Sequence, residues 1–183
     1  DIAGFPGGNE WRVMDTRQIV TPGFHIDHTL PNQDLPEIWV MQDEFNAKSH
    51  YGWSDMNGIT QMSTNIPSSH ALDADYLKTH FQLKARAFTE GSVFVEFQTA
   101  LGIRERLRLT YNNETQSYEG YGYLKQGIYN YRYRWISGYS TDDELGYTEG
   151  NCFDTQNMYQ VLLYQKDPLY QKDQILGAYL IQK

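Results

Sequence analysis

The run from Tyr121 to Trp135, YGYLKQGIYNYRYRW, constrains the fold more than any other part of the chain. Successive side chains of an extended strand point to opposite faces, so Tyr129, Tyr131, Tyr133 and Trp135 share one face and Asn130, Arg132 and Arg134 the other. With Lys125, Gln126 and Gly127 between two such runs, the spacing predicts a β-hairpin with a buried aromatic face and a wet polar one. Aromatic residues make up 15% of the chain, a bias that suits pleated, half-buried surfaces and points to an all-β class.

Further strand candidates at residues 11–20, 37–42, 77–87, 93–99 and 106–111 follow one another with turn residues between them. The cleanest alternation places Leu77, Thr79, Phe81, Leu83 and Ala85 in a core, continued by Val93, Val95, Phe97, Leu107 and Leu109, then by Tyr159, Val161 and Leu163. Residues 65–73, with Pro67, Ser68 and Ser69, lack alternation and mark a boundary. The expected organisation is a β-rich segment over 1–73, packed on a neighbouring domain, followed by an immunoglobulin-like β-sandwich of early-set type over 74–183. The second part has about seven strands in roughly 110 residues, as such a sandwich requires.

A net charge of −8 argues against a nucleic-acid partner, since phosphate binding requires clustered Lys and Arg. No apolar run approaches the roughly 20 residues of a membrane-spanning helix. The chain opens on Asp1, without an initiator Met or signal peptide, which reads as a mature product or an excised piece. The single cysteine, Cys152, has no internal disulfide partner and reads as a small packed residue rather than a catalytic thiol.

Chemistry-bearing motifs are scarce. His25 and His28 flank Asp27, but positions three apart on a strand face opposite ways, and no third ligand follows at a recognisable spacing, so no metal is expected. Asp142, Asp143, Glu144 and Glu149 cluster after Tyr139, where an acidic run rich in Gly and Thr reads as a solvated connection rather than a glycosidase pair. A nucleophile elbow, a phosphate loop, a dinucleotide fingerprint and a zinc-protease helix are all missing, so neither catalysis nor a cofactor is expected. Arg104, Arg106 and Arg108 on one strand, with Arg132 and Arg134 on the tyrosine strand, form either a basic stripe for a partner or an internal set of ion pairs with Glu96 or Glu105. Trp39 and Trp53 read either as exposed anchors or as pins holding the first segment to the sandwich. Trp53, Arg132 and Arg134 are the candidate partner-binding residues.

Several phrases resemble a Bacteroidota domain-of-unknown-function family associated with the plug subunit of the type IX secretion translocon. Gly7-Gly8-Asn9-Glu10-Trp11-Arg12 with Asp15 is similar to its G-N-E-F-R-x-F-D opening, and Asp55-Met56-Asn57-Gly58 to its D-x-N-G segment. Ala74-Asp75-Tyr76 with His80-Phe81 resembles its A-D-Y-x-x-x-H-F strand, and 124–131 resembles its L-K-Q-G-Y-Y-N-Y phrase. Glu149-Gly150-Asn151, Thr155, Asn157, Tyr159 and Leu176-Gly177 resemble its closing pattern. The resemblance implies a C-terminal portion of a longer, non-enzymatic, periplasmic protein associated with the outer membrane, whose partner is the translocon barrel. Starch- and glycogen-binding modules share a G-x-Y-x-Y-x-(F/W) strand but pair it with G-x-F-N-x-W. Residues 95–102 hold no tryptophan, which leaves a glycan-binding module as the alternative expectation.

Overall fold

The computed structural model describes residues 7–45, 56, 58–65, 73–98, 103–137, 145–152, 154–167, 169 and 171–182. The fold is all-β. Its strands are β1 (Arg12–Asp15), β2 (Ile26–Leu30), β3 (Glu37–Val40), β4 (Asp43–Glu44), β5 (Gln61–Met62), β6 (Tyr76–Lys84), β7 (Ser92–Gln98), β8 (Arg104–Asn112), β9 (Ser117–Lys125), β10 (Gly127–Ile136), β11 (Met158–Lys166) and β12 (Asp173–Gln182). One helical turn, α1 (Leu145–Thr148), follows β10.

Ten strands form one nearly closed sheet in the order β1-β10-β7-β8-β9-β6-β3-β2, with β4 on β6 and β5 on β10. β8 links the two walls: its first six residues pair with β7 and its last three with β9. Strands ahead of residue 74 join this same sheet, β3 and β4 running parallel to β6 and β1 antiparallel to β10. β11 and β12 form a separate two-stranded sheet.

The alternation in β6, β7 and β10 identifies the inward face: Leu77, Phe81, Leu83, Val93, Val95, Tyr131 and Tyr133 are all buried in one core cluster. Tyr159, Val161 and Leu163 were expected to continue that core and do not, because β11 pairs with β12 alone; Val161 is 53% and Leu163 61% exposed.

The expected hairpin at 121–135 does not form. β9 pairs with β6 and β8, β10 with β7, β1 and β5, and the single residue Gln126 carries the chain between the walls. One residue is too short for a two-residue hairpin turn, and three other segments hold this corner. Gln126 N–H donates to Asp75 O (2.9 Å) and its carbonyl accepts from Ser63 N–H (3.1 Å). Its side chain accepts from Asp75 N–H (3.1 Å) and donates to Arg17 O (2.9 Å). Gly127 exchanges hydrogen bonds with Thr16, and a Cβ there would lie 2.5 Å from Gln61 O, so only glycine fits.

Candidate binding surfaces

The polar side of β10 is not the wet face that the alternation suggested, and of the two readings of Arg132 and Arg134 the structure shows the internal set of ion pairs with Glu96. Glu96, with no side-chain exposure, accepts from Arg106 Nε (2.8 Å), Arg132 Nε and Nη2 (3.0 and 2.5 Å) and Arg134 Nη1 (2.8 Å). Burial by itself would raise the Glu96 pKa, but the hydrogen bonds from Arg132 and Arg106 and the nearby charges of Arg132 and Arg134 hold it down to about 2. Arg132 and Arg134 therefore brace β10 against β7, and Arg132 also covers the Trp11 ring at 4.2 Å. Trp53, the third candidate, lies outside the described residues, as do Asp142, Asp143 and Glu144.

A second buried polar cluster joins the ends of the sheet. Arg12 donates to Glu149 Oε2 (2.9 Å), Asp43 Oδ1 (2.7 Å) and Glu44 O (3.0 Å). Tyr131 and Tyr133 hydroxyls donate to Asp43 Oδ2 at 2.7 and 2.9 Å, and His25 Nε2 lies 3.0 Å from Asp43 Oδ1. The second Glu149 oxygen accepts from Tyr133 N–H. Burial would raise the Asp43 pKa, yet the His25 hydrogen bond and the Arg12 charge keep it below the ordinary carboxylate value. Burial pushes Glu149 up, and Arg12 offsets that only in part. Burial and the Asp43 charge push both phenols well above their usual pKa, so they remain donors. Arg12, Asp43, Glu149, Tyr131 and Tyr133 are shut away from solvent and form a structural knot, with His25, 27% exposed, at its edge.

The 7–12 and 149–157 segments meet beside this knot. Gly8 N–H donates to Asn151 Oδ1 (2.7 Å), Asn9 Nδ2 to Glu149 O (3.1 Å), Thr155 Oγ1 to Gly8 O (3.0 Å) and Asn157 Nδ2 to Gly7 O (2.7 Å). They latch the opening segment to the one after α1. Asn130 Oδ1 caps Met56 and Gly58 N–H groups (2.7 and 3.1 Å), and Gly58, at φ +84°, sits against Trp11.

The histidines of the 25–28 segment part ways: His25 turns to Asp43, while His28 Nδ1 contacts Asp27 at 2.7 Å. Among the described residues no three His, Cys, Asp or Glu side chains converge as metal ligands.

The outer face of the β2-β3-β6-β9 wall carries the most exposed aromatic surface of the large sheet. His28, Trp39, His80 and Tyr121 oppose one another in register across four strands. Trp39 stacks between the imidazoles of His28 (4.4 Å) and His80 (4.3 Å), and His80 also contacts Glu37 at 2.7 Å. Tyr76, Tyr121 and Tyr123 extend the patch at 55%, 50% and 59% exposure. Beside it runs an open groove of about 1200 Å³ lined by Gln82, Arg108, Asn112 and Glu119 as well as Trp39. Alternation along β6 and β9 shows which of these rings face outward; the parallel β3–β6 register that assembles the row has no signal in the sequence.

No protein-family model matches the chain, and no curated protein matches it. Among solved structures it is similar to a hypothetical protein from Parabacteroides merdae ATCC 43184, with 28% identity and a TM-score of 0.79 over 98% of this chain. The chain spans 46% of that longer one.

Proposed function

We propose that this is a non-enzymatic, periplasmic protein-binding module that acts as the plug subunit of a type IX translocon does, closing the periplasmic end of a large outer-membrane barrel. The observation that carries the binding reading is the exposed row of rings with Tyr76 and Tyr123 beside it and Arg108 in the adjoining groove, because interface centres are enriched in Tyr, Trp and Arg. The burial of the Arg12–Asp43–Glu149 set supports a role without bond-making chemistry. The translocon assignment rests on the resemblance of the 7–15, 124–131 and 149–159 phrases to the plug-associated family. On the same reading the curled sheet is a distorted immunoglobulin-like, early-set sandwich whose walls share β8.

The test is a tagged pull-down from gently solubilised envelope, with an untagged control and a Tyr121→Ser/Tyr123→Ser variant. Retention of a very large outer-membrane β-barrel by the parent protein, and its loss with the variant at unchanged melting temperature, is the expected result. Recovery of no such barrel removes the translocon reading.

Glycan binding is the second reading, favoured by the groove, whose Gln82, Asn112 and Arg108 are planar polar groups suited to sugar hydroxyls. Against it, both faces of Trp39 are covered by imidazoles, leaving no open indole face for a sugar ring. Titration with soluble glucans, followed by tryptophan fluorescence, separates the two readings.

A further inference from the structure

The β11–β12 hairpin is apolar on both faces. Val161, Leu163, Tyr179 and Ile181 share one, at 53%, 61%, 69% and 46% exposure. Leu162, Tyr164, Ile175 and Leu180 share the other, at 38%, 52%, 56% and 59%. The charged residues of the pair, Lys166 and Asp173, lie at its turn end, so over 158–165 and 174–182 neither strand has the lysines that usually blunt a free edge. Near-continuous apolar runs of this kind belong to strands covered on both sides, and an isolated two-stranded hairpin is marginal in water.

Face counting selects the occupant. A second copy stacked about a two-fold axis covers one face of each hairpin and leaves the other wet. Lipid is excluded because the outer edges of β11 and β12, which pair with no further strand among the described residues, would leave backbone groups unsatisfied in hydrocarbon. A domain that takes the strand pair into its own sheet, between two apolar layers, covers both faces and both edges. The apolar side chains offer on the order of 800 Å², one partner's share of a standard interface. The Parabacteroides merdae chain, which 98% of this chain matches, is about twice as long, so the same fold occurs there alongside further polypeptide.

We propose that β11–β12 is a strand pair donated to a second β-rich domain, the counterpart of the part of the Parabacteroides merdae chain that this chain does not span. This is independent of the translocon reading, which concerns the row of rings on the large sheet.

The experiment places a charge on each face in two contexts. Val161→Glu and Leu180→Glu in the 183-residue chain are expected to leave the melting temperature unchanged, since both residues are more than half exposed. Glutamate at each aligned position of the full-length Parabacteroides merdae protein is expected to lower its melting temperature by roughly 5 °C or more. A neutral result there for either face overturns two-sided docking, and so does a loss of stability in the 183-residue chain, which would place the hairpin against its own unit.

Discussion

Tyr131 and Asp43 are 88 residues apart in the chain, yet the Tyr131 hydroxyl donates to Asp43 Oδ2 at 2.7 Å inside the closed end of the sheet. The same oxygen accepts from Tyr133 at 2.9 Å, and the other takes Arg12 and His25. Asp43 is therefore an acceptor on every side, which only a carboxylate satisfies.

Asp43→Asn keeps the shape but turns one end of the side chain into a donor facing donors. It should cost about 3 to 5 kcal/mol, as removal of one partner from a buried charge pair does. Urea unfolding of the two proteins at pH 7 measures it, and a loss below 1 kcal/mol would show that the knot is not needed for the fold.

Glu96 sets an acid limit on stability. Its folded pKa of about 2 lies below the ordinary value of 4.5, so its contribution is complete above about pH 4.5 and disappears as the pH falls through 2. Arg132→Ser removes two of the hydrogen bonds that hold the carboxylate, and should cost about 2 kcal/mol at neutral pH. The variant should also unfold at a higher pH than the parent in an acid titration followed by circular dichroism; coincident acid transitions would remove Arg132 from this role.

Gly58 has φ +84°, and a Cβ there would stand 2.7 Å from the Trp11 ring. Gly58→Ala should destabilise by roughly 2 kcal/mol or more, from left-handed backbone strain together with displacement of the indole. Thermal melts give the energy, and a shifted tryptophan emission would report the indole's movement.

Trp39→Ala removes two stacked ring contacts from an outer face without opening the core. The expected loss is about 1 to 3 kcal/mol, with the unfolding transition still cooperative. A multiphasic urea transition would mean that the row of rings, rather than the core beneath it, joins β2 and β3 to the sheet.

The inward face of β6, β7 and β10 was legible because alternation follows from pleat geometry, and the cores at Leu77, Val95 and Tyr131 lie where it puts them. Alternation says nothing of which strand lies alongside, so the corner at Gln126 looked like a hairpin turn. It also fails where both faces are covered. Arg134 and Asn130 read as wet because they are polar, yet they are buried, Arg134 donating to Glu96 and Asn130 Oδ1 accepting from the Met56 and Gly58 N–H groups. The apolar run in β11 read as core for the complementary reason: its pattern signals burial without identifying what buries it. Arg12, Asp43 and Glu149 carry no signal as a set in the sequence because 31 and 137 residues separate Arg12 from its partners.

The pairing of β1 with β10 fixes an order of events during synthesis. Arg12 faces Tyr131 in the finished sheet, so β1 leaves the ribosome well over 100 residues before its neighbour exists. At about 5 to 20 residues per second, this is a wait of roughly ten seconds. β2 and β3 wait as well, for the shorter interval until β6 emerges, because among the described residues their other strand partners are each other. The nascent chain must therefore carry three strands with an open edge, and translation speed or a holding chaperone has a direct influence on yield that a refolding experiment on the finished chain does not register.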